Sequence, residues 1–171
     1  WLIIGAAMFA LAALLGYLAF GHVQLRVKIW LDPWAYANDE GYQLVQALFG
    51  LASGGLFGTG LGEGYPQFIP FAKTDFISAA LGEELGLAGM MALIMLFAIL
   101  VERGLRTGLA CRDPFGTLLA VGLSSVFALQ VVVTIGGVTR LIPLTGLTTP
   151  FLSSGRSSRG ANWATLALRR R

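Results

Sequence analysis

Long uncharged runs of apolar residues alternate with shorter polar segments along the chain. Trp1 to Phe20, Tyr42 to Gly62 and Phe115 to Thr139 contain no charged residue, and each reaches about the 20 residues that a helix needs to span a bilayer. Leu85 to Val101 is a shorter uncharged run that the turns before it can extend. The pattern therefore predicts about four full transmembrane helices.

Two more apolar segments do not fit a plain spanning helix. Arg140 to Gly155 is interrupted by Pro143, Gly146 and Pro150, which favours a re-entrant or surface-lying loop over a straight helix. Gly160 to Leu168 covers only about 14 Å as a helix, about half of the hydrocarbon core. The second segment is thus predicted to form a short last helix.

The composition indicates a membrane protein. Hydrophobic residues make up 56% of the chain, charged residues only 12%, and the mean hydropathy is +0.73, whereas a soluble domain carries about 25% charged residues. The predicted fold class is an all-α polytopic membrane fragment, with about four full transmembrane helices, a re-entrant loop and a short last helix in one membrane domain over residues 1–171. Because Trp1 already lies in an apolar run, we interpret the chain as part of a longer polytopic protein.

Several kinds of site are disfavoured by the sequence. The net charge of +3 comes from short basic clusters between apolar runs, so we expect no nucleic-acid partner. Cys111 is the single cysteine, which excludes an intrachain disulfide, and the single histidine, His22, has no acidic or sulfur neighbour at ligand spacing. The series Gly58-x-Gly60-x-Gly62 follows no strand, so we reject a phosphate-binding loop there.

A cluster of charged residues stands out between the apolar runs. It contains Lys73, Asp75, Glu83 and Glu84, and polar groups that cluster beside a bilayer are costly enough to indicate a site. Asp75 lies where a loop meets a predicted helix, so its carboxylate can reach a substrate with a polar head and a lipid tail. The alternative is that Thr74 or Asp75 only caps that helix.

Basic residues predict the orientation of the chain. If the four predicted spans alternate, eight basic residues fall on one side of the membrane and four on the other, and the positive-inside rule assigns the eight to the cytoplasm. The charged loop at about 63–84 and the Pro- and Gly-rich loop at about 140–158 then share the outer face. The smaller set is Lys73, Arg140, Arg156 and Arg159, and the larger set is Arg26, Lys28, Arg103, Arg106, Arg112 and the three terminal arginines.

Several motifs occur together in an order that resembles one known family. They look like the C-terminal half of the SEDS family of bacterial membrane proteins, which act in shape, elongation, division and sporulation. The segment from Arg140 to Pro150 is most similar to the RodA-like members of actinobacteria. The motifs are YQLVQ at 42–46, GGLFGTGLG at 54–62, TDFI at 74–77, GEELG at 82–86 and PLTGLTTPFLS at 143–153.

The resemblance implies a fold of about ten transmembrane helices, of which this chain would supply part. It also implies a glycosyltransferase that polymerises lipid II into β-1,4 glycan and releases undecaprenyl pyrophosphate at the outer face of the bacterial cytoplasmic membrane. The expected partners are lipid II, the membrane and a class B penicillin-binding protein. A lipid II flippase and a catalytically silent scaffold for that protein remain alternatives.

The family's functional residues transfer to this chain only at matching positions. Asp75 matches the essential acidic residue of the family and is the predicted catalytic base, while Glu83 and Glu84 are predicted to partner arginines. No metal ligand is assigned, although a divalent cation is a candidate for stabilising the anionic leaving group. The residues predicted to bind substrate are Lys73, Thr74, Arg140, Ser153, Ser157 and Ser158.

Two arginines near the C-terminus depart from the family pattern. Arg156 stands where the family has a glycine, and Arg159 stands where it has an apolar residue. An arginine deep in a bilayer costs about 2.5–3.5 kcal/mol on insertion scales. We therefore predict a poorly anchored last helix.

Overall fold

The computed structural model describes residues 1–65, 69–70, 75–111 and 113–153. Every regular element in these ranges is helical, which confirms the predicted all-α class. The α-helices are α1 (Leu2–Ala19), α2 (Gly21–Leu31), α3 (Tyr42–Gly54), α4 (Ile77–Ala110) and α5 (Pro114–Val138), and a 3₁₀ turn covers Trp34–Tyr36. The predicted last helix at 160–168 and the two unusual arginines lie outside the described residues.

An antiparallel pair of long helices, α4 and α5, forms the centre of the fold. Asp113 begins α5 by accepting a hydrogen bond from the Gly116 N–H at 2.9 Å, and Pro114 takes the first helical position. Both choices suit a helix start, where backbone N–H groups have no helical partner. The helices pack through an apolar cluster of Met90, Phe97, Phe127, Val131 and Ile135. The start of α4 and the end of α5 therefore lie at the same end of the pair.

Three helices are long and apolar enough to cross a membrane, namely α1, α4 and α5. They match the predicted first, third and fourth spans. The predicted span from Tyr42 to Gly62 is wrong, because α3 has 13 residues and ends at Gly54, which gives about 20 Å of helix against a hydrocarbon core of about 30 Å. Gly55 follows with φ +52, a left-handed conformation that stops the helix and suits glycine.

The segment predicted as a loop between Gly21 and Gly41 is largely helical. Its helix, α2, is joined to the chain after α5 by a reciprocal pair of hydrogen bonds between Trp30 and Arg140. The Trp30 indole N–H donates to the Arg140 carbonyl at 3.0 Å, and the Arg140 Nε donates to the Trp30 carbonyl at 2.9 Å. The end of α2 therefore lies beside the end of α5.

This contact changes the side of the membrane that was assigned to Arg26 and Lys28, whereas the outer position of Asp75 stays a prediction. Because α3 is too short to cross the membrane, the chain does not change sides between α2 and α4, and Arg26 and Lys28 belong on the same side as Asp75. The bias of eight basic residues against four depended on an extra crossing, so it no longer supports an orientation.

The glycine-rich segment after α3 packs against a break in α4. Gly86 has φ +68 and interrupts the helix, and the two residues after it donate backbone hydrogen bonds to the carbonyls of Gly55 and Leu56 at 2.9 and 3.0 Å. A Cβ on Gly58 would collide with the backbone of Glu84. The glycines thus allow two backbone segments to approach where a side chain would not fit.

The segment from 141 to 153 contains no helix and turns back along α5. The Gln130 side chain donates to the Thr148 carbonyl at 3.1 Å, and the rings of Phe127 and Phe151 lie 5.7 Å apart. Phe127 sits three turns before the end of α5, so the segment returns well into the helical pair. The structure thus confirms that this segment is not a straight helix, as Pro143, Gly146 and Pro150 predict, and we call residues 141–153 the re-entrant loop because they turn back along α5.

Candidate active site

Asp75 lies immediately before α4 and is half-buried. The helix begins at Ile77 with Phe76 in the capping position, and no side chain forms a capping hydrogen bond there. The alternative that Asp75 only caps this helix is therefore wrong, and Thr74, the other candidate for the cap, lies outside the described residues. Within the described ranges, no group donates a hydrogen bond to the Asp75 carboxylate.

An apolar cluster fixes the backbone around Asp75. Phe76 is 1% exposed and belongs to a buried cluster with Ala47 of α3 and Val138 of α5, and Leu144 packs against that cluster. Four parts of the chain that are distant in sequence are thereby held together. This packing also determines the position of Asp75, because Asp75 directly precedes Phe76, whose side chain is fixed by burial.

Gly146 in the re-entrant loop faces Asp75. Its φ is +70, and the position that a Cβ atom would occupy lies 4.0 Å from Asp75 Oδ2. The same position lies 3.8 and 3.9 Å from the two Nη atoms of Arg26. The carboxylate and the guanidinium therefore both lie beside the same glycine.

Arg26 extends from α2 to Gly146. Its Nη1 donates to the Leu144 carbonyl at 2.8 Å, and the residue is exposed. Sequence reasoning missed Arg26 because the false span placed it on the opposite side of the membrane. The glycine pair Gly54-Gly55, which ends α3, was the signal that could have removed that span and brought Arg26 to the Asp75 end.

Arg140 and Ser153 were predicted to bind substrate. The Arg140 guanidinium donates to the carbonyls of Trp30 and Leu31 at 2.9 and 2.6 Å, which satisfies acceptors that the end of α2 leaves free. Ser153 is 1% exposed, and its N–H donates to the Thr149 carbonyl at 3.2 Å. These contacts are structural, and the substrate-binding roles of both residues stay predictions. The other predicted substrate-binding residues lie outside the described residues, namely Lys73, Thr74, Ser157 and Ser158.

Glu83 and Glu84 do not form the predicted ion pairs with any described arginine. The Glu83 carboxylate is 5% exposed and accepts a hydrogen bond from the Tyr65 N–H at 2.9 Å. The described ion pair of the chain joins Arg106 to Glu102, one turn apart on α4. Glu83 therefore serves the packing of the glycine-rich segment, as the hydrogen bonds from the Thr59 N–H and the Thr59 hydroxyl to its carbonyl also indicate.

A cavity of about 200 Å³ opens beside Arg26, between α2 and α3. Its polar lining residues are His22, Arg26, Glu40 and Gln43, and the remainder of the lining is formed by Leu25, Ile29, Trp30, Leu44 and Leu144. Among the described residues, no group of three or more His, Cys, Asp or Glu side chains is placed to hold a metal ion.

The sequence matches a family model over residues 1–169, that of the FtsW, RodA and SpoVE cell cycle proteins. The chain belongs to this family. It is 58% identical over 168 residues to the peptidoglycan glycosyltransferase RodA of Mycobacterium tuberculosis (strain H37Rv), a match that covers 98% of this chain and 36% of the relative. It is 46% identical over 129 residues to a probable peptidoglycan glycosyltransferase FtsW of Bacillus subtilis, with 74% of this chain and 32% of the relative covered.

A solved structure has the same fold as this family member. It is described as "Structural coordination of polymerization and crosslinking by a peptidoglycan synthase complex", with a TM-score of 0.78 and 31% sequence identity, over 99% of this chain and 48% of the other. The chain thus spans about a third of the length of the RodA relatives and about half of the solved chain. Family membership and three spanning helices make it a multi-pass membrane protein.

Proposed function

We propose that this chain forms the catalytic part of a peptidoglycan glycosyltransferase that polymerises lipid II. The observation that carries the proposal is the half-buried Asp75 carboxylate, which receives no hydrogen bond from the described residues and lies at the head of a spanning helix. A carboxylate in this position can act on a substrate whose sugar is in water and whose tail is in lipid. The names of the relatives at 58% and 46% identity support the same reaction class.

The proposed reaction is an inverting displacement at a sugar carbon. The 4-hydroxyl of one lipid II attacks the anomeric carbon of a lipid-linked chain, and a new carbon–oxygen bond forms. The old bond to the diphosphate breaks and its electron pair leaves with undecaprenyl pyrophosphate. Asp75 accepts the proton of the attacking hydroxyl, a contribution worth about 10²–10⁴-fold in rate. The product is a β-1,4 linkage.

We place this reaction at the outer face of the bacterial cytoplasmic membrane, where lipid-linked substrate meets the growing cell wall. A class B penicillin-binding protein is the proposed partner, since glycan strands need cross-linking after they are polymerised. The similar solved structure comes from a complex described as a peptidoglycan synthase, which supports such an assembly.

Polymerisation of purified lipid II tests the proposal directly. Full-length protein, purified in detergent with its partner, is incubated with lipid II, and glycan chains are resolved on a gel. The wild-type protein should form chains and the Asp75→Asn protein should not. Asp113→Asn is the matched control, because it makes the same chemical change at the other end of the helical pair, where asparagine also caps a helix.

The assay separates the other functions considered for this family. A wild-type protein that never polymerises lipid II but moves it across vesicle membranes would favour a flippase. A protein that does neither and still binds the penicillin-binding protein would favour a scaffold. Asp75→Asn protein that polymerises at the wild-type rate would overturn the assignment of Asp75 as the base.

A further inference from the structure

We propose that Arg26 binds the diphosphate of the lipid-linked substrate beside Asp75. The inference rests on the proposed function and adds the residue that receives the leaving group. Its starting point is that atoms of both side chains lie within 4.0 Å of the position that a Cβ on Gly146 would occupy. A carboxylate and a guanidinium therefore lie beside one residue of the loop that has no side chain of its own.

The hydrogen-bond donors of Arg26 are only partly used within the protein. One donor of Nη1 bonds to the Leu144 carbonyl at 2.8 Å, which holds the side chain over the re-entrant loop. Within the described ranges, no acidic side chain lies within ion-pair distance of Arg26. A guanidinium has five N–H donors in a planar arrangement that suits phosphate oxygens, so donors remain for an anionic ligand.

The described arginines differ in how far their guanidinium groups are already bound by other groups of the protein. Arg140 directs Nε and Nη2 to the carbonyls of Trp30 and Leu31, and Arg106 pairs with Glu102 at the other end of α4. Among the described arginines at the Asp75 end, Arg26 is the exposed one, and it lies beside Gly146 and Asp75. It is therefore better placed than Arg140 to bind an anion.

The charges of Asp75 and Arg26 suit the attacking and the leaving group of the displacement, respectively. As Asp75 takes the proton of the attacking hydroxyl, negative charge builds on the diphosphate oxygen that leaves. A positioned cation at that oxygen stabilises the transition state more than the ground state, which lowers the barrier. Glu40 lines the cavity on which Arg26 also borders and disfavours an anion inside it, so we place the diphosphate on the Gly146 side.

Binding of undecaprenyl pyrophosphate to full-length protein tests the inference without turnover. We expect Arg26→Gln to weaken this binding by about 10- to 100-fold, as the loss of hydrogen bonds to a charged group implies. Lys28→Gln is the matched control, because it removes an exposed cation from the same helix two residues away and should bind like wild type. Undecaprenol, which lacks the diphosphate, should bind equally to wild type and Arg26→Gln. Equal binding of undecaprenyl pyrophosphate by the wild-type and Arg26→Gln proteins would overturn the inference.

A second measurement uses the wild-type protein and so does not depend on the folding of a variant. Phenylglyoxal modifies exposed arginines, and peptide mass spectrometry quantifies each site. Undecaprenyl pyrophosphate should protect Arg26 and leave Arg103, an exposed arginine on α4, unprotected. Absence of protection at Arg26 would overturn the inference.

The proposed function is tested separately. Asp75→Asn protein should still bind undecaprenyl pyrophosphate and protect Arg26, although it should not polymerise lipid II. If Asp75→Asn protein instead polymerises normally while Arg26 remains protected, the base assignment fails and the diphosphate site stands. If polymerisation requires Asp75 but Arg26 is neither protected nor needed for binding, the diphosphate site alone fails.

Discussion

The carboxylates of Asp75 and Glu83, which both belong to the cluster of charged residues, have opposite environments. Glu83 is 5% exposed, accepts the Tyr65 N–H and is surrounded by closely packed glycine backbone. Asp75 is half-buried, receives no hydrogen bond from the described residues and lies beside Gly146. The two residues are close together in the sequence and carry the same chemical group.

The difference shows what separates a structural carboxylate from a candidate catalytic one. A buried carboxylate whose bond to a backbone N–H is already made contributes to packing, and removing that bond costs stability. A carboxylate without such a partner can accept a proton from a bound hydroxyl. The partners of the oxygen atoms, and not the residue type, distinguish the two carboxylates.

The largest expected effect comes from neutralising each carboxylate in turn. Asp75→Asn should lower lipid II polymerisation by about 10²–10⁴-fold with little change in thermal stability, because a base is lost and no described hydrogen bond is broken. Glu83→Gln should keep polymerisation close to wild type, since the amide oxygen can still accept the Tyr65 N–H. The measurements are glycan synthesis and thermal unfolding of full-length protein. An equal loss of activity in both variants at unchanged stability would contradict the distinction between the Asp75 and Glu83 carboxylates.

The second effect concerns the backbone contact around Glu83. Gly58→Ala should destabilise the protein by about 1–3 kcal/mol more than Gly62→Ala, because a Cβ at Gly58 overpacks against the Glu84 backbone. Both glycines have φ near +80°, so the shared cost of a left-handed alanine, about 1–2 kcal/mol, cancels in the comparison. Thermal unfolding measures the difference. Equal melting temperatures for the two variants would show that the glycine-rich segment does not pack as described.

The third effect concerns the attachment of α2, on which the environment of Asp75 depends. Arg140→Gln removes two charged hydrogen bonds to the carbonyls of Trp30 and Leu31, each worth about 1.5–3 kcal/mol. We expect faster hydrogen exchange in α2 and weaker polymerisation, since Arg26 loses its position. Arg103→Gln, an exposed residue on α4, is the control. Unchanged exchange in α2 would mean that Trp30 alone holds the helix.

The smallest effect is a labelling pattern that should leave activity unchanged. With Cys111, which is exposed, replaced by serine, single cysteines at Lys28 and Arg106 should be labelled from opposite sides of the membrane. The structure places Lys28 on α2 at the Asp75 end, and Arg106 lies near the far end of α4. Labelling of both from one side would restore the extra crossing and separate Arg26 from Asp75.

Much of the helical framework and one site residue could be predicted from the sequence. The bounds of α1 and α5 follow the uncharged runs to within a residue or two, because the absence of charge over a membrane thickness is a local property. The prolines Pro143 and Pro150 likewise predict the re-entrant loop, since a proline cannot continue a helix. Asp75 stands out because a carboxylate next to an apolar span is costly.

The remainder of the site was decided by tertiary contacts. Hydropathy extended α3 to Gly62, whereas packing against α4 and the left-handed Gly55 end it at Gly54. That one difference moves Arg26 from the far side of the membrane to a position beside Gly146. Hydropathy counts residues along the chain, but the meeting of Arg26, Asp75 and Gly146 depends on contacts between segments more than a hundred residues apart, such as the bond from Arg26 to Leu144. Only the folded chain brings those segments together.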